Sequence, residues 1–362
     1  ITSYALVAFG TERREVEAAI KYVLLGALAT VAILLWIGTL YASTGFLNKA
    51  DLAVAVRTGL VPSQLVFLVS ALFLAGFGIK AAMMPFHAWL PDAHPSAPAP
   101  ISAMLSGLLI KTLGVYALIR VFYTVVGIDP RVQSLLLVLG CLSMVAGVLL
   151  ALGQDDLKRL LAYSSISQMG YILVALGINT ALGVTAAVFH ALNHALFKSA
   201  LFLSSGSLER ITGTRNLSEM GGLAKRAPAT SLGIVGASLS ISGVPPFNGF
   251  WSKLLILIAL FTAGYTLIGA IAAGTALLTL ITFVQVQKKA LFGPLPARLA
   301  NVRDVPASMW APVLALVLLC LVTIALWPLG VGDMVDEAAR ACLLYTSPSP
   351  RDQSLYLVCR LL

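Results

Sequence analysis

The amino-acid sequence predicts an all-α protein, a polytopic bundle of membrane-spanning helices in which two helices are discontinuous. Three observations support this fold class: 59% of the 362 residues are hydrophobic, only 11% are charged, and the mean hydropathy is +0.93. A soluble domain carries about 25% charged residues, so this chain lacks the polar surface that a soluble fold needs. With only 4 cysteines in the sequence, a disulfide-rich secreted scaffold is also excluded.

The apolar segments are long enough to cross a membrane as helices. A span needs about 20 residues, and the bilayer core offers no water to backbone groups, so each segment is expected to be helical. We predict a helical stub at 1–9 and nine spans, near 19–43, 64–83, 100–126, 134–153, 162–178, 183–205, 231–256, 260–286 and 310–329.

Two of these helices should be interrupted by proline. Segment 80–91 contains Pro85, and segment 242–253 contains the pair Pro245-Pro246. Proline removes a backbone donor and clashes with the preceding turn. In both segments a Pro-Phe pair is followed closely by a tryptophan, and interrupted helices in matching halves predict a transport site built from internal repeats. The alternative is a pair of ordinary proline kinks.

The loop charges predict an orientation. One set of loops holds twelve basic residues and the other holds four, and the positive-inside rule places the richer set in the cytoplasm of a bacterial or archaeal cell. Scattered basic residues without exposed aromatic neighbours do not favour nucleic-acid binding. The richer set is Arg13, Arg14, Lys158, Arg159, Arg210, Arg215, Lys225, Arg226, Lys288, Lys289, Arg298 and Arg303; the other is Lys49, Arg57, Arg120 and Arg131.

Three lysines lie within or beside the predicted spans. A charge at the bilayer centre costs roughly 2.5–3.5 kcal/mol, so each lysine needs a reason to be there. Lys80 precedes the first break, Lys253 follows the second, and Lys111 has about ten apolar residues on either side. For Lys80 and Lys253 the alternative to a functional role is that the side chain reaches the membrane interface.

A polar stripe follows one predicted helix. His190, His194 and Lys198 are spaced four residues apart, so they lie on one helix face, which should point into the bundle. Histidine titrates near neutral pH, and a lysine amine removed from water can titrate in the same range. The stripe is therefore a candidate proton path. A metal site is weakly supported, because no carboxylate or cysteine is near in sequence, and a stripe that only joins helices is the other alternative.

Several other polar residues have more than one interpretation. Asp92 and His94 could position the end of the first broken helix or take part in proton uptake. Asp155 and Asp156 precede a helix start and are expected to cap it. The small residues of 164–170 suit close helix packing. We expect no cofactor, no metal site and no redox or bond-breaking chemistry in this chain.

The C-terminal segment 342–362 departs from the rest of the sequence. Residues 342–352 are polar and proline-rich, and they resemble the translation of a sequencing-library adapter. We therefore expect the authentic protein sequence to stop near Ala341, and we exclude the residues after it from the fold prediction.

Four segments together resemble one family of membrane proteins. They resemble the antiporter-like proton-translocating subunits of respiratory complex I, the NADH:quinone oxidoreductase, which share their family with Mrp-type sodium/proton antiporters and energy-converting hydrogenases. The segments are Phe86–His94 (FHAWLPDAH), Leu157–Gly170 (LKRLLAYSSISQMG), His190–Lys198 (HALNHALFK) and Gly243–Lys253 (GVPPFNGFWSK).

This resemblance implies a fold and a set of roles. The family fold has fourteen helices with two inverted repeats, each containing a discontinuous helix, so residues 1–341 would be part of it. The resemblance assigns Lys80, Lys111, the stripe on 190–198 and Lys253 to a proton relay. It also implies a glutamate partner for Lys80 on the preceding helix, before Ile1.

The function implied is translocation of protons or sodium ions by a subunit that works with other membrane subunits of a complex I-like or Mrp-like assembly. A membrane hydrogenase subunit is a third possibility within the family. From different classes, a stand-alone solute carrier and a purely architectural membrane subunit remain as alternatives. Loss of transport without loss of assembly in lysine variants would distinguish a relay from an architectural role.

Overall fold

The computed structural model describes residues 2–9, 12–109, 111–327 and 330–343, without the side chains of 2, 109, 111–113, 324, 342 and 343. Within these residues no strand is present, which confirms the all-α prediction. The helices are α1 (Thr2–Val7), α2 (Arg13–Thr44), α3 (Lys49–Arg57), α4 (Ser63–Ala81), α5 (Leu90–Ser96), α6 (Ala99–Met104), α7 (Ala117–Val121), α8 (Pro130–Leu152), α9 (Leu157–Gly177), α10 (Ala181–Thr212), α11 (Leu223–Arg226), α12 (Pro228–Ser242), α13 (Asn248–Thr262), α14 (Thr266–Gln287), α15 (Ala307–Ala325) and α16 (Val331–Leu343).

Six helices of the described part are long and apolar enough to cross a membrane. They are α2, α4, α8, α9, α10 and α14 with its wider last turns, and each coincides with a predicted span. Helix α9 is enclosed by its neighbours almost throughout, whereas α2 exposes most of its apolar side chains. The bundle is therefore built around α9, and α2 lies at its periphery.

Small residues bring α8 and α9 into close contact. A Cβ atom added to Gly170 would lie 2.4 Å from the backbone nitrogen of Met144, and one added to Gly147 would lie 2.5 Å from that of Ser167. Because only hydrogen fits at these two positions, the backbones can approach closely. The packing role predicted for the small residues of 164–170 is confirmed here.

Both predicted helix breaks are present and share one geometry. Helix α4 ends before Ala82 and α12 ends before Gly243, and both residues have left-handed backbone conformations, with φ of 54° and 78°. The next amide donates back to the fifth residue before it in each case, Met83 to Gly78 at 3.0 Å and Val244 to Leu239 at 3.1 Å. The interruptions therefore close both half-helices in the same way, with α5 and α13 as their continuations.

The helix predicted near 100–126 is present in the described residues, but it is irregular. Wider, π-type turns lie between α6 and α7, over Leu105–Leu109 and Lys111–Tyr116, and after α7, over Phe122–Val126. The turns pack against neighbouring helices at Gly114, where an added Cβ would lie 2.8 Å from the Cβ of Ala81. Close packing of this kind accompanies the irregular backbone.

Two further expectations concern the ends of the chain. Residues 344–362, most of the segment predicted to be an adapter-derived tail, lie outside the described residues, so that interpretation stays a prediction. At the other end, Glu12 and Glu15 form a capping box at the start of α2, with the Glu12 amide donating to the Glu15 carboxylate at 3.1 Å. These glutamates begin a helix.

Candidate functional site

The predicted polar stripe on α10 faces the interior of the bundle. His190, His194 and Lys198 are each fully buried. With a rise of 1.5 Å per residue, the stripe extends for about 12 Å along the helix axis. The structure therefore places three titratable side chains in a row inside the apolar core.

Lys198 is held by α9. Its Nζ donates to the carbonyl oxygen of Leu161 at 2.7 Å and to the hydroxyl of Ser164, and it lies 6.0 Å from the centre of the Phe202 ring. Sequence reasoning gave Ser164 a packing role only. Its contact with Lys198 joins residues that are 34 positions apart, and no local pattern in the sequence signals it.

The other end of the stripe meets the second broken helix. His190 Nδ1 lies 2.9 Å from the hydroxyl of Ser252 on α13. The ring of Tyr171 on α9 lies 5.7 Å from the His190 ring and 5.2 Å from Nζ of Lys253. Tyr171 thus contacts both titratable residues and connects the stripe with Lys253.

Lys253 turns inward rather than toward the membrane interface. It is 4% exposed, and its Nζ donates to the carbonyl oxygen of Ile241 at 2.7 Å. That carbonyl belongs to the last turn of α12, where the helix dipole is negative and cations are stabilised. The interface-reaching alternative for Lys253 is therefore wrong, because the break supplies a polar partner inside the bundle.

An amide pair fastens the second break to α10. Asn248 Nδ2 donates to Asn193 Oδ1 at 2.9 Å, and Asn193 Nδ2 donates to the backbone oxygen of Asn248 at 3.2 Å. Ser240 donates to Asn248 Oδ1 at 2.7 Å. The pair fixes the first turn of α13, and with it the position of Ser252 and Lys253 opposite the stripe.

The first break is closed by other side chains. Trp89 Nε1 donates to the carbonyl oxygen of Ile79 at 2.7 Å, and the Met84 amide donates to the hydroxyl of Ser143 at 3.0 Å. The Trp89 ring also stacks on Tyr22 of α2, with ring centres 4.4 Å apart. At the first break an indole N–H donates to a carbonyl oxygen at the helix end, whereas at the second break a lysine side chain donates to one.

Lys80 lies in the last turn of α4, beside this break, and is half-buried. The adjacent Ala81 packs against the wider turns of Lys111–Tyr116 at Gly114. The Lys111 side chain lies outside the described residues, so its relay role stays a prediction. Its backbone runs through a segment that contacts both α4 and α10.

Asp92 and His94 lie on the second half of the broken helix, α5. The Asp92 carboxylate accepts from Lys21 at 2.9 Å and pairs with Arg159 at 3.4 Å, so it joins α5 to α2 and α9. His94 is fully buried, with its ring 4.5 Å from that of Phe202. These contacts support a positioning role for Asp92 and place His94 near the stripe.

One charge that sequence reasoning assigned to a loop is buried. Lys158 is the second residue of α9 and only 3% exposed, and its Nζ pairs with the Glu209 carboxylate at 2.9 Å. The same Nζ donates to the carbonyl oxygen of Ala97 at 3.2 Å. Glu209 was not predicted as a site residue, because the pair joins positions far apart in the sequence.

The two aspartates at the start of α9 have different roles. Asp156 caps the helix and accepts from the Arg159 amide at 3.0 Å, as predicted. Asp155 instead accepts from Ser218 and from Lys289, at 3.1 Å for the latter, so its predicted capping role is wrong. Burial opposes ionisation of Asp155, but these hydrogen bonds outweigh it and hold the pKa of the carboxyl below its usual value.

Among the described residues, no group of three or more histidines, cysteines or carboxylates is placed to hold a metal ion. The titratable residues of the interior are instead separated along a line, with hydroxyl and carbonyl groups as neighbours. Such an arrangement suits the binding and passage of protons, because amines and imidazoles change charge by gaining or losing one.

Comparisons with known proteins identify the family of this chain. A family model described as the transmembrane part of NADH:quinone oxidoreductase and Mrp antiporters matches residues 1–279. An NADH-quinone oxidoreductase subunit of Desulforudis audaxviator is 38% identical over 331 residues, which cover 87% of this chain and 66% of that protein. A Na(+)/H(+) antiporter subunit of Alkalihalophilus pseudofirmus is 37% identical over 294 residues, covering 81% and 59%.

A solved structure is similar as well. A chain in the structure of the Mrp complex from Dietzia sp. superimposes with a TM-score of 0.86 and 28% sequence identity, over 96% of this chain and 72% of that one. The chain spans 66% and 59% of the length of the two curated relatives. The family model matches well over half of the sequence, and the chain therefore belongs to the NADH:quinone oxidoreductase/Mrp antiporter transmembrane family.

Proposed function

We propose that this chain is part of an ion-translocating membrane subunit and that it moves protons along a relay of buried lysine and histidine side chains. The relay runs from Lys80 through Lys111 to the α10 stripe and ends at Lys253. The observation that carries the proposal is the line of buried titratable groups from Lys198 to Lys253, connected through Tyr171 and Ser252.

The chemistry of these groups favours protons over sodium ions. Oxygen ligands suit hard cations, whereas the stripe and the two helix breaks present amines and imidazoles. Proton transfer needs groups within hydrogen-bond reach or separated by one water molecule. The four-residue spacing of His190, His194 and Lys198 separates consecutive residues by about 6 Å along the helix axis, so a proton would pass between them through such a water.

The relatives of this chain support two kinds of complex. They are named as subunits of an NADH-quinone oxidoreductase and of a Na(+)/H(+) antiporter, at nearly equal identity. We propose a complex I-like assembly, with other membrane-arm subunits as partners and with the basic loops in a bacterial or archaeal cytoplasm. The genes that neighbour this one test the choice: quinone-reductase genes support it, and small Mrp genes overturn it in favour of an antiporter.

A stand-alone solute carrier is less well supported by the geometry. A carrier needs a polar cavity of substrate size around its central residues. The two charged cavities, of about 600 and 670 Å³, lie at one end of the bundle and are lined by loop and helix-end residues. Lys198 and Lys253 are instead packed against protein atoms.

A lysine-to-methionine substitution tests the relay. Lys198→Met, in the full-length protein within its membrane complex, keeps the length of the side chain and removes the amine. We expect proton translocation into proteoliposomes to fall by about tenfold or more, a loss equivalent to about 1.4 kcal/mol or more, while the complex assembles normally. Lys289→Met, which removes an exposed lysine from the same chain, is the matched control. Unchanged translocation by Lys198→Met would show that the stripe has only an architectural role.

A further inference from the structure

An ion pair between a buried lysine and a partly exposed glutamate lies between the charged end of the bundle and the stripe. Lys158 Nζ contacts the Glu209 carboxylate at 2.9 Å and the carbonyl oxygen of Ala97 at 3.2 Å. Ala97 directly follows α5, and Glu209 lies in the last turn of α10. One ammonium group therefore joins the ends of α5 and α10 to the start of α9.

Arg215 strengthens the same connection. Its Nε lies 3.4 Å from Asp156 and 3.9 Å from Glu209, and its guanidinium also donates to the carbonyl oxygen of Pro95. Lys158 and Arg215 thus each donate to a carbonyl oxygen at the end of α5, and both pair with the Glu209 carboxylate. We call Lys158, Glu209 and Arg215 the latch.

Residues of the latch line the two charged cavities. Glu209 and Arg215 line both cavities, and Lys158 lines the smaller one. Glu209 and Lys198 are eleven residues apart on α10, which corresponds to about 16 Å along the helix axis. Between them lie the ring of Phe202 and the imidazole of His94, both fully buried.

Helix α9 connects the latch with Lys198. Lys158 lies three residues before Leu161 and six before Ser164, the two residues that accept hydrogen bonds from Lys198. Residues three apart on a helix lie on one face. The latch and Lys198 therefore contact neighbouring turns at the start of α9.

We propose that the latch controls the access of protons to Lys198. While Lys158 and Glu209 are paired, α5 is held against α9 and α10, and the Phe202 ring separates cavity water from the stripe. When α5 moves, the pair separates, and a proton passes from cavity water past His94 to the Lys198 amine.

Helix α5 is the second half of a broken helix whose first half, α4, carries Lys80. The latch therefore links the conformation of that break to proton uptake at Lys198. This inference rests on the proposed function and adds a device that controls it.

The test removes the pair without leaving a buried charge alone. Losing one partner of a buried pair leaves the other charge uncompensated, so both are replaced in the double variant Lys158→Met/Glu209→Gln. The full-length protein, in its complex and without a driving reaction, is reconstituted into vesicles with an imposed pH gradient. We expect passive proton flux to rise by about tenfold, which corresponds to a change of about 1.4 kcal/mol in the latch equilibrium.

Two companion variants make the result specific. Asp155→Asn/Lys289→Met removes an exposed ion pair at the same end of the bundle and should leave the passive flux unchanged. Adding Lys198→Met to the latch double variant should abolish the extra flux, because the leak passes through Lys198. A leak that survives this addition overturns the proposal, since damaged packing would then be its source.

The latch and the relay can fail separately. If the wild type translocates protons through Lys198 but the assembled double variant does not leak, the latch proposal is wrong and the proposed function stands. If the Lys198→Met variant translocates protons at the wild-type rate, the proposed function is wrong, and the latch proposal is wrong with it.

Discussion

The Lys253 ammonium donates to the Ile241 carbonyl at the C-terminal end of α12, and the ring of Tyr171 lies 5.2 Å away. A helix C-terminus carries about half a negative charge, which attracts a cation and repels an anion. The break therefore supplies a hydrogen-bond acceptor for the Lys253 side chain.

Two substitutions of Lys253 separate hydrogen bonding from charge. Lys253→Gln keeps an N–H donor near Ile241, whereas Lys253→Glu places a negative charge against the negative end of α12. We expect Lys253→Glu to lower the free energy of unfolding by about 1–2 kcal/mol more than Lys253→Gln does. Thermal unfolding of the purified protein in detergent measures the difference, and equal stability of the two variants would contradict this description of the break.

At the scale of helices, the contact between α8 and α9 depends on glycine. Gly170→Ala would place a Cβ 2.4 Å from the Met144 nitrogen, which belongs to backbone and cannot move aside as a side chain can. We expect a loss of about 1–3 kcal/mol in stability.

The matched control is Gly274→Ala in α14, where an added Cβ meets no atom within 4 Å. That variant should be unchanged or more stable by about 0.5–1 kcal/mol, because alanine restricts the unfolded chain. Unfolding midpoints of both variants in the same detergent check the pair. A Gly170→Ala protein as stable as Gly274→Ala would show that α8 and α9 are farther apart.

The helix breaks were predictable because proline acts locally. Each proline removes a backbone donor at its own position, so Pro85 and the Pro245-Pro246 pair predict both breaks from the sequence. The irregular turns between 105 and 126 were not predictable, since they accompany packing of Gly114 against Ala81 and of Gly107 against Ser199. Contacts of that kind depend on which helices meet.

The candidate site was also predictable only in part. The spacing of His190, His194 and Lys198 within one helix determines that they share a face, so sequence alone predicts the stripe and its burial. The groups that hold these side chains, such as Ser252 and Leu161, come from other helices and were missed. Lys158 was assigned to a loop because its partner Glu209 lies 51 positions away.

Across the whole molecule, the loops predicted to share one side do meet at one end. Lys289 pairs with Asp155, and Arg298 pairs with Glu219, so loops from separate parts of the sequence are joined there. These contacts support the grouping of basic loops on which the proposed orientation depends. The latch lies at the same end.

Cysteine labelling tests that orientation. In a background without other cysteines, Lys49→Cys and Lys225→Cys place one thiol at each end of the molecule. In right-side-out membrane vesicles, a membrane-impermeant maleimide should label Lys49→Cys and spare Lys225→Cys until the vesicles are opened, because basic loops stay in the cytoplasm. Labelling in the reverse pattern would contradict the proposed orientation.

The most direct test of the central claim is proton movement into proteoliposomes that hold the full-length protein in its complex, recorded together with sodium movement. We expect proton uptake by the wild type and by Lys289→Met, and its loss in Lys198→Met at equal assembly. Proton uptake by Lys198→Met at the wild-type rate would contradict the relay.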